Sequence, residues 1–235
     1  MKPPKPYFLP AVIVLLMISN TLYAQKKSKL KKLPFCGVRI EKKETLKEVY
    51  QQEIGFLDLK ENDSIADIGA GSGWYEGALS ATMSLEHVHF FLVDISKDCL
   101  NETKVNNMKE YYSSLKGSPI TNTFTLINNT PDSLYLPART FKKVWILNTL
   151  HEIPDQQKMI RDIYNILQPG GEVILLEVVP DKPHELHGGC HKPLLSKQEW
   201  DDLFTANHFS VGNTLNLADM DKKHSPFHMT RYVRN

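Results

Sequence analysis

Residues 64–79, SIADIGAGSGWYEGAL, have the types and spacing best suited to holding a nucleotide-like cofactor. An apolar run, Ile65-Ala66-Asp67-Ile68, leads straight into Gly69-Ala70-Gly71-Ser72-Gly73, and an amphipathic pattern starts at Trp74. Apolar residues ended by glycine read as a buried strand, and the glycines let the backbone pass close beneath a ligand. Free N–H groups at the start of the following helix favour an anionic group there. The glycine spacing narrows the ligand. A dinucleotide fingerprint, G-x-G-x-x-G, needs its third glycine for close helix–strand packing. Counted from Gly69 that place holds Trp74, and counted from Gly71 it holds Glu76. The loop is instead G-x-G-x-G with an acid, Asp67, ahead of it. A nicotinamide-dependent oxidoreductase is therefore a distant reading.

Further candidates lie downstream. Asp94 follows Gly73 by 21 residues. A carboxylate there can accept hydrogen bonds from both hydroxyls of a ribose, or be a plain strand-end acid. Asn128-Asn129-Thr130 could read an adenine edge with an amide or hydroxyl, although asparagine also favours turns for local reasons. In Asn148-Thr149-Leu150-His151-Glu152, His151 is a candidate general base, because a histidine's ordinary pKa lies near neutrality; it is equally a structural hydrogen-bonding residue. Glu177 is a site acid or a charge buried with a partner. The segment His184-Glu185-Leu186-His187-Gly188-Gly189-Cys190-His191 has metal-ligand types. Its spacing fits no standard zinc module, so no metal is assigned, and it reads as a substrate-facing loop.

These residues need elements to position them. Residues 45–59 read as a helix with Leu46, Val49, Tyr50 and Ile54 on one side. Strands are expected at 64–70, 88–95, 123–128, 142–149 and 172–179, with helices at 74–84, 97–115 and 155–168 between them. VHFFLVDI (88–95) is almost continuously apolar, as expected for a strand buried on both faces. Pro169-Gly170-Gly171 stops the helix before the fifth strand. Ser196 with Glu199 three residues on forms a capping box for a helix at 196–206. Two strands, about 210–217 and 226–233, close the chain without a helix between them, which suggests an antiparallel, hairpin-like end. Such alternation predicts an α/β, doubly wound, Rossmann-like sheet with ligand at the carboxyl ends of its strands. Every candidate above falls at or beyond such an end.

The segments ADIGAGSGW, VDIS, NTPDSLYLP, WILNTLHEI and LQPGGEVILLE stand in the order and spacing of class I S-adenosylmethionine (SAM) methyltransferases. Across 44–234 the chain resembles that family, and within it a bacterial group that often carries an N-terminal export signal. The resemblance implies a seven-stranded, mostly parallel sheet with the last strand antiparallel, and SAM over Gly69, Gly71, Gly73 and Asp94. Asp67 would then orient the loop and the methionine amino group, Asn129 would face adenine, and Tyr75 would cover the methionine part or simply pack. Where many relatives have an acid at the third strand's end, this chain has asparagines. Methyl transfer from a sulfonium needs alignment, exclusion of water and sometimes a base. His151 and Asn148 are the candidate catalytic residues, and the resemblance also places a histidine at this point.

The 235 residues suit one α/β domain, 44–235, with a short extension. Hydrophobic content of 41% and charged content of 23% are those of a globular protein. A formal charge of +1 offers no electrostatic case for nucleic acid. Lys2 and Lys5, the apolar run from Tyr7 to about Ile18, and Ala24 resemble a secretory signal peptide at 1–24, followed by a basic linker at 25–43. Export to the periplasm or beyond is the expectation. Five lysines between 26 and 32 favour the alternative, a membrane anchor with the domain in the cytoplasm. Three widely spaced cysteines, Cys36, Cys99 and Cys190, allow at most one pair. A small molecule is expected as acceptor ahead of a protein, with no nucleic acid, membrane contact only through the N-terminal segment, and no indication of oligomeric state. The competing class is a non-catalytic exported protein of the same fold that binds another ligand or a metal through 184–191.

Overall fold

The computed structural model describes residues 33–37, 42–83, 86–182, 184–217 and 226–235. The expected signal peptide, and the linker as far as residue 32, lie outside them. Among the described residues no helix is long and apolar enough to cross a membrane.

The chain runs α1 (Lys43–Leu57), β1 (Ser64–Ile68), α2 (Trp74–Thr82), β2 (His89–Asp94), α3 (Glu102–Lys116), β3 (Thr123–Asn128) and β4 (Phe141–Leu147). After a single 3-10 turn at Leu150–Glu152 come α4 (Gln156–Ile166), β5 (Leu167–Val178), α5 (Lys197–Thr205), β6 (Phe209–Leu217) and β7 (Phe227–Arg234). The strands form one seven-stranded sheet in the order β3-β2-β1-β4-β5-β7-β6. Pairings among β1 to β5 are parallel, and β7 runs antiparallel to both of its neighbours, β5 and β6. The expected architecture is therefore present, including the antiparallel final strand, which lies inside the sheet next to β5. The strand order reverses between β1 and β4, and in a doubly wound sheet the crevice at that switch point is the ligand site.

The two-residue period of the central strands sorts their side chains between two cores. Ala66 and Ile68 of β1, Val144 and Ile146 of β4, and Val173 and Leu175 of β5 join Ile160 and Ile163 of α4 with Trp200 and Phe204 of α5 in one buried cluster. Trp145 projects to the opposite face, where its ring meets Tyr75 of α2 and Phe90 of β2. Asp67 shares the parity of Ile65 rather than of Ala66 and Ile68. The alternation thus carries a carboxylate into the layer covered by α2.

Helix α5 starts as read from sequence. The Ser196 hydroxyl accepts from the Glu199 N–H, and the Glu199 carboxylate accepts from the Ser196 N–H at 2.7 Å. Helix α3 starts later than the expected residue 97, at Glu102, with Asn101 accepting from the Lys104 N–H. Residues 96–100 instead turn locally, with the Cys99 and Leu100 N–H groups both donating to the Ser96 carbonyl. Strand β5 begins at Leu167, five residues before the expected 172, because Leu167 pairs with Phe141 ahead of a register shift; α4 thus ends at Ile166, before Pro169-Gly170-Gly171, which lie within the strand.

Cys36 and Cys99 form a disulfide that closes a sequence separation of 63. It ties the segment before α1 to the turn after β2. Phe35 packs edge-on to Tyr111 of α3, the Pro34 carbonyl accepts from Asn107, and the Cys36 carbonyl accepts from the Ser72 hydroxyl inside the glycine loop. On chain-entropy grounds a closure of this length stabilises the fold by about 4 kcal/mol. Reduction with dithiothreitol is expected to lower the thermal midpoint by about 10 °C. A midpoint unmoved by reductant would contradict this role.

Candidate active site

Strand β1 delivers its last residue into the glycine loop, which turns through left-handed backbone at Gly69 (φ 85°), Gly71 (φ 56°) and Gly73 (φ 73°). A methyl group on Gly69 would lie 2.3 Å from Thr149 Cγ2, so the loop can pass beside the end of β4 only as glycine. Gly71 is the opposite case: nothing lies within 4 Å on its side-chain side. One glycine thus permits close packing, and the other leaves open space at the crest of the loop, as a cradle for a ligand requires.

Asp94 ends β2 beside that crest. Its Oδ2 accepts from the Gly71 N–H at 2.7 Å and its Oδ1 from the Ser96 N–H at 2.7 Å. Each carboxylate oxygen keeps a further lone-pair direction for a ligand hydroxyl. Ile95, the next residue, is 61% exposed beside that carboxylate. Nothing in the sequence singled out Ile95, because apolar residues at strand ends are usually core.

Asp67 lies beneath the loop, buried against α2, with Oδ1 lacking a hydrogen-bond partner. Both oxygens of the buried Glu76 are likewise unpartnered. Burial, and then the neighbouring Glu76, hold the Asp67 carboxyl well above the usual carboxylate range; burial also pushes Glu76 up. The sequence singles out Asp67 but not Glu76, which comes beside it only when α2 packs on β1.

Asn129, just past β3, donates to the Thr130 carbonyl at 3.2 Å while its Oδ1 stays buried and unpartnered. Asn128 is occupied otherwise, donating to the Leu100 carbonyl at 3.1 Å. Tyr75 is a packing residue: it is buried, packs edge-on to Tyr50 and Trp145, and donates its hydroxyl to Glu53. Burial of Glu53 pushes its carboxyl up to about 7, with the Tyr75 hydrogen bond opposing the rise.

Beyond β4, Asn148 adopts left-handed backbone (φ 53°), and its Oδ1 is buried without a partner. Asparagine tolerates this region better than most non-glycine residues, because its short polar side chain can hydrogen-bond locally. The 3-10 turn then buries His151 against the end of β5. His151 Nδ1 lies 2.7 Å from Glu177 Oε2, and the main-chain N–H of His151 donates to Glu177 Oε1 at 3.4 Å. Since an ionised carboxylate only accepts, Nδ1 carries a proton, and in the neutral ring the lone pair is then on Nε2. That Nε2 is buried without a hydrogen-bond partner; the Glu152 carboxylate stands 3.8 Å away, beyond hydrogen-bond reach.

The segment 184–191 divides. His187 stacks at a tilt on His151, ring centroids 4.5 Å apart, and its Nδ1 lies 3.2 Å from Cys190 Sγ. His184 and His191 are exposed, both on left-handed backbone. A short antiparallel bridge, Leu186 with Pro193, and the bond from the His187 N–H to the Lys192 carbonyl at 2.8 Å shape the loop. Burial, and then the adjacent His151, lower the pKa of His187.

Residues 66–175 match the family described as methyltransferase domain. A reducing polyketide synthase, grgA, from Penicillium sp is 28% identical over 160 residues, covering 62% of this chain and 6% of the synthase. The ubiquinone/menaquinone biosynthesis C-methyltransferase UbiE of Vibrio cholerae is 26% identical over 113 residues, 48% of this chain and 40% of that enzyme. The chain therefore spans less than half the length of either. Among solved structures, the 1,6-didemethyltoxoflavin-N1-methyltransferase of Burkholderia thailandensis, with its substrate and S-adenosylhomocysteine bound, superposes with a TM-score of 0.57 at 13% identity. That alignment covers 99% of this chain and 93% of the other.

Residues 66–175 thus match a methyltransferase domain set in a Rossmann-like seven-stranded sheet, and the family match together with the solved structures supports SAM as the cofactor. The residues present fit SAM: an open crest at Gly71, a strand-end carboxylate at Asp94, and buried unpartnered oxygens on Asp67 and Asn129. Asp94 would take the ribose hydroxyls. When bound, SAM supplies a methyl group on a positively charged sulfur, open to in-line displacement.

Proposed function

We propose that the chain methylates a small-molecule acceptor, with His151 removing the acceptor's proton. The observation that carries this reading is the buried His151–Glu177 pair at 2.7 Å, which leaves Nε2 unpartnered. Glu177 sets the tautomer and orientation of the ring, and Nε2 takes the proton released as the acceptor atom gains its methyl group. Asn148 Oδ1 is a second buried acceptor, available to hold a donor group of the same molecule. The Cys36–Cys99 cystine supports export of the mature protein, because disulfides persist in oxidising compartments.

The test uses the purified protein with methyl-labelled SAM and a cell extract split into small-molecule and protein fractions. Label is expected in the small-molecule fraction, and His151→Asn is expected to abolish it while SAM binding by calorimetry is retained. Label confined to the protein fraction would overturn the acceptor class, and full transfer by His151→Asn would overturn the base.

A further inference from the structure

We propose that His151, His187 and Cys190 form a binding site for a single zinc-class divalent cation. One donor atom from each of the three lies within 4.8 Å of the others. Tetrahedral zinc, with bonds of about 2.0–2.1 Å to nitrogen and 2.3 Å to sulfur, holds such atoms about 3.5 Å apart. The 3.2 Å between His187 Nδ1 and Cys190 Sγ is already close to that, and loading would draw the His151 donor in by up to about 1.3 Å. Two imidazoles and a thiol are a soft donor set, which selects zinc-like ions over magnesium or calcium.

The buried member carries the second, independent sign. His151 Nδ1 is held by Glu177 at 2.7 Å, so the nitrogen left for a ligand is Nε2, and its side chain is 2% exposed with no hydrogen-bond partner there. A carboxylate on the far nitrogen of a liganding histidine is the usual outer-shell support of a zinc site. The loop between the other two ligands is ordered by main-chain bonds, the His191 N–H donating to the His187 carbonyl at 3.0 Å and the His187 N–H to the Lys192 carbonyl at 2.8 Å; the 3.3 Å contact of the Cys190 N–H with His187 Nδ1 would give way when that nitrogen takes the ion. The turn over 187–191 brings the His187 and Cys190 side chains together. His184 and His191 are exposed and stand outside this group.

Three protein ligands leave a fourth position open, as in catalytic rather than structural zinc sites. Loading deprotonates Cys190 and releases that proton to solvent. It also engages the lone pair that would otherwise accept an acceptor's proton. Metal ligand and general base are therefore alternative states of His151. The cation site itself does not depend on the methyl-transfer reading.

The test is direct metal binding by the full chain, with cobalt(II) as the spectroscopic probe and zinc as competitor. One equivalent of cobalt is expected to give a thiolate-to-cobalt charge-transfer band that zinc abolishes and magnesium leaves in place. Cys190→Ser should remove the band, His187→Ala should weaken binding at least tenfold, and His184→Ala should change neither. Zinc should also protect Cys190 from alkylation in the unmodified protein, a readout that needs no variant to fold. Absence of a saturable cobalt band, alkylation of Cys190 unaffected by zinc, or binding undiminished in folded Cys190→Ser and His187→Ala would overturn the site.

Discussion

Replacing Asp94 with alanine is expected to weaken SAM binding at least 100-fold in calorimetric titration, while the protein stays folded. Asp94 serves two purposes at once. Its carboxylate accepts from the Gly71 and Ser96 N–H groups, both at 2.7 Å, and so latches the crest of the glycine loop to the turn after β2. It also stands where the ribose hydroxyls would reach its remaining lone pairs. A hydrogen bond to a charged group contributes roughly 1.5–3 kcal/mol, and each 1.4 kcal/mol is tenfold in affinity. Loss of one ribose contact plus a loosened loop thus amounts to about two orders of magnitude or more. Asp94→Asn separates the two purposes. Its amide oxygen can still accept one of the two loop N–H groups, so the fold should be kept and a smaller loss of affinity seen. A folded Asp94→Ala protein with unchanged SAM affinity would mean that the ribose lies elsewhere.

Glu177→Gln is expected to lower methyl transfer by about 10² to 10⁴, the usual worth of a positioned proton acceptor, with SAM affinity altered less than about twofold. The reason is the tautomer. With the variant's amide oxygen kept on the main-chain N–H of His151, its NH₂ group would face Nδ1 and donate to it. The ring proton would then move to Nε2, the atom that must be free. Because glutamine is nearly isosteric with glutamate, the buried pair is replaced without a cavity. Nitrogen-15 NMR of His151 would report the change of tautomer directly, before any acceptor is known. Unchanged turnover, or an Nε2 lone pair retained in the variant, would remove Glu177 from the chemistry. Binding of the cation should fall in the same variant, by about 10- to 100-fold on the usual worth of an outer-shell carboxylate.

Much of this arrangement is legible before any coordinates. Trp74 excludes the close helix–strand contact of a dinucleotide site by size alone. The apolar runs at 64–68, 89–94 and 141–147 fall on β1, β2 and β4 within a residue or two of the expected bounds. Boundaries shift where a local hydrogen bond competes, as at Asn101, whose side chain starts α3 later than periodicity suggests. The sequence leaves Tyr75 open between ligand and packing, because it does not show that Glu53 and Trp145 enclose the ring.

By itself, the sequence determined the order of strands and helices, the glycine loop and the residues at each strand's carboxyl end. Parallel strands joined by right-handed crossovers bring those ends to one edge, so Asp67, Asp94, Asn129, Asn148 and His151 gather there whatever the loops do. Only the tertiary structure decided what each of them faces. Glu76 reaches Asp67 because α2 packs over β1, Glu177 reaches His151 because β5 lies beside β4, and Cys36 reaches Cys99 across 63 residues. His187 and Cys190 approach His151 because the segment after β5 folds back on its own hydrogen bonds. Such contacts depend on where a loop comes to rest after the sheet has formed, and no local spacing encodes that distance.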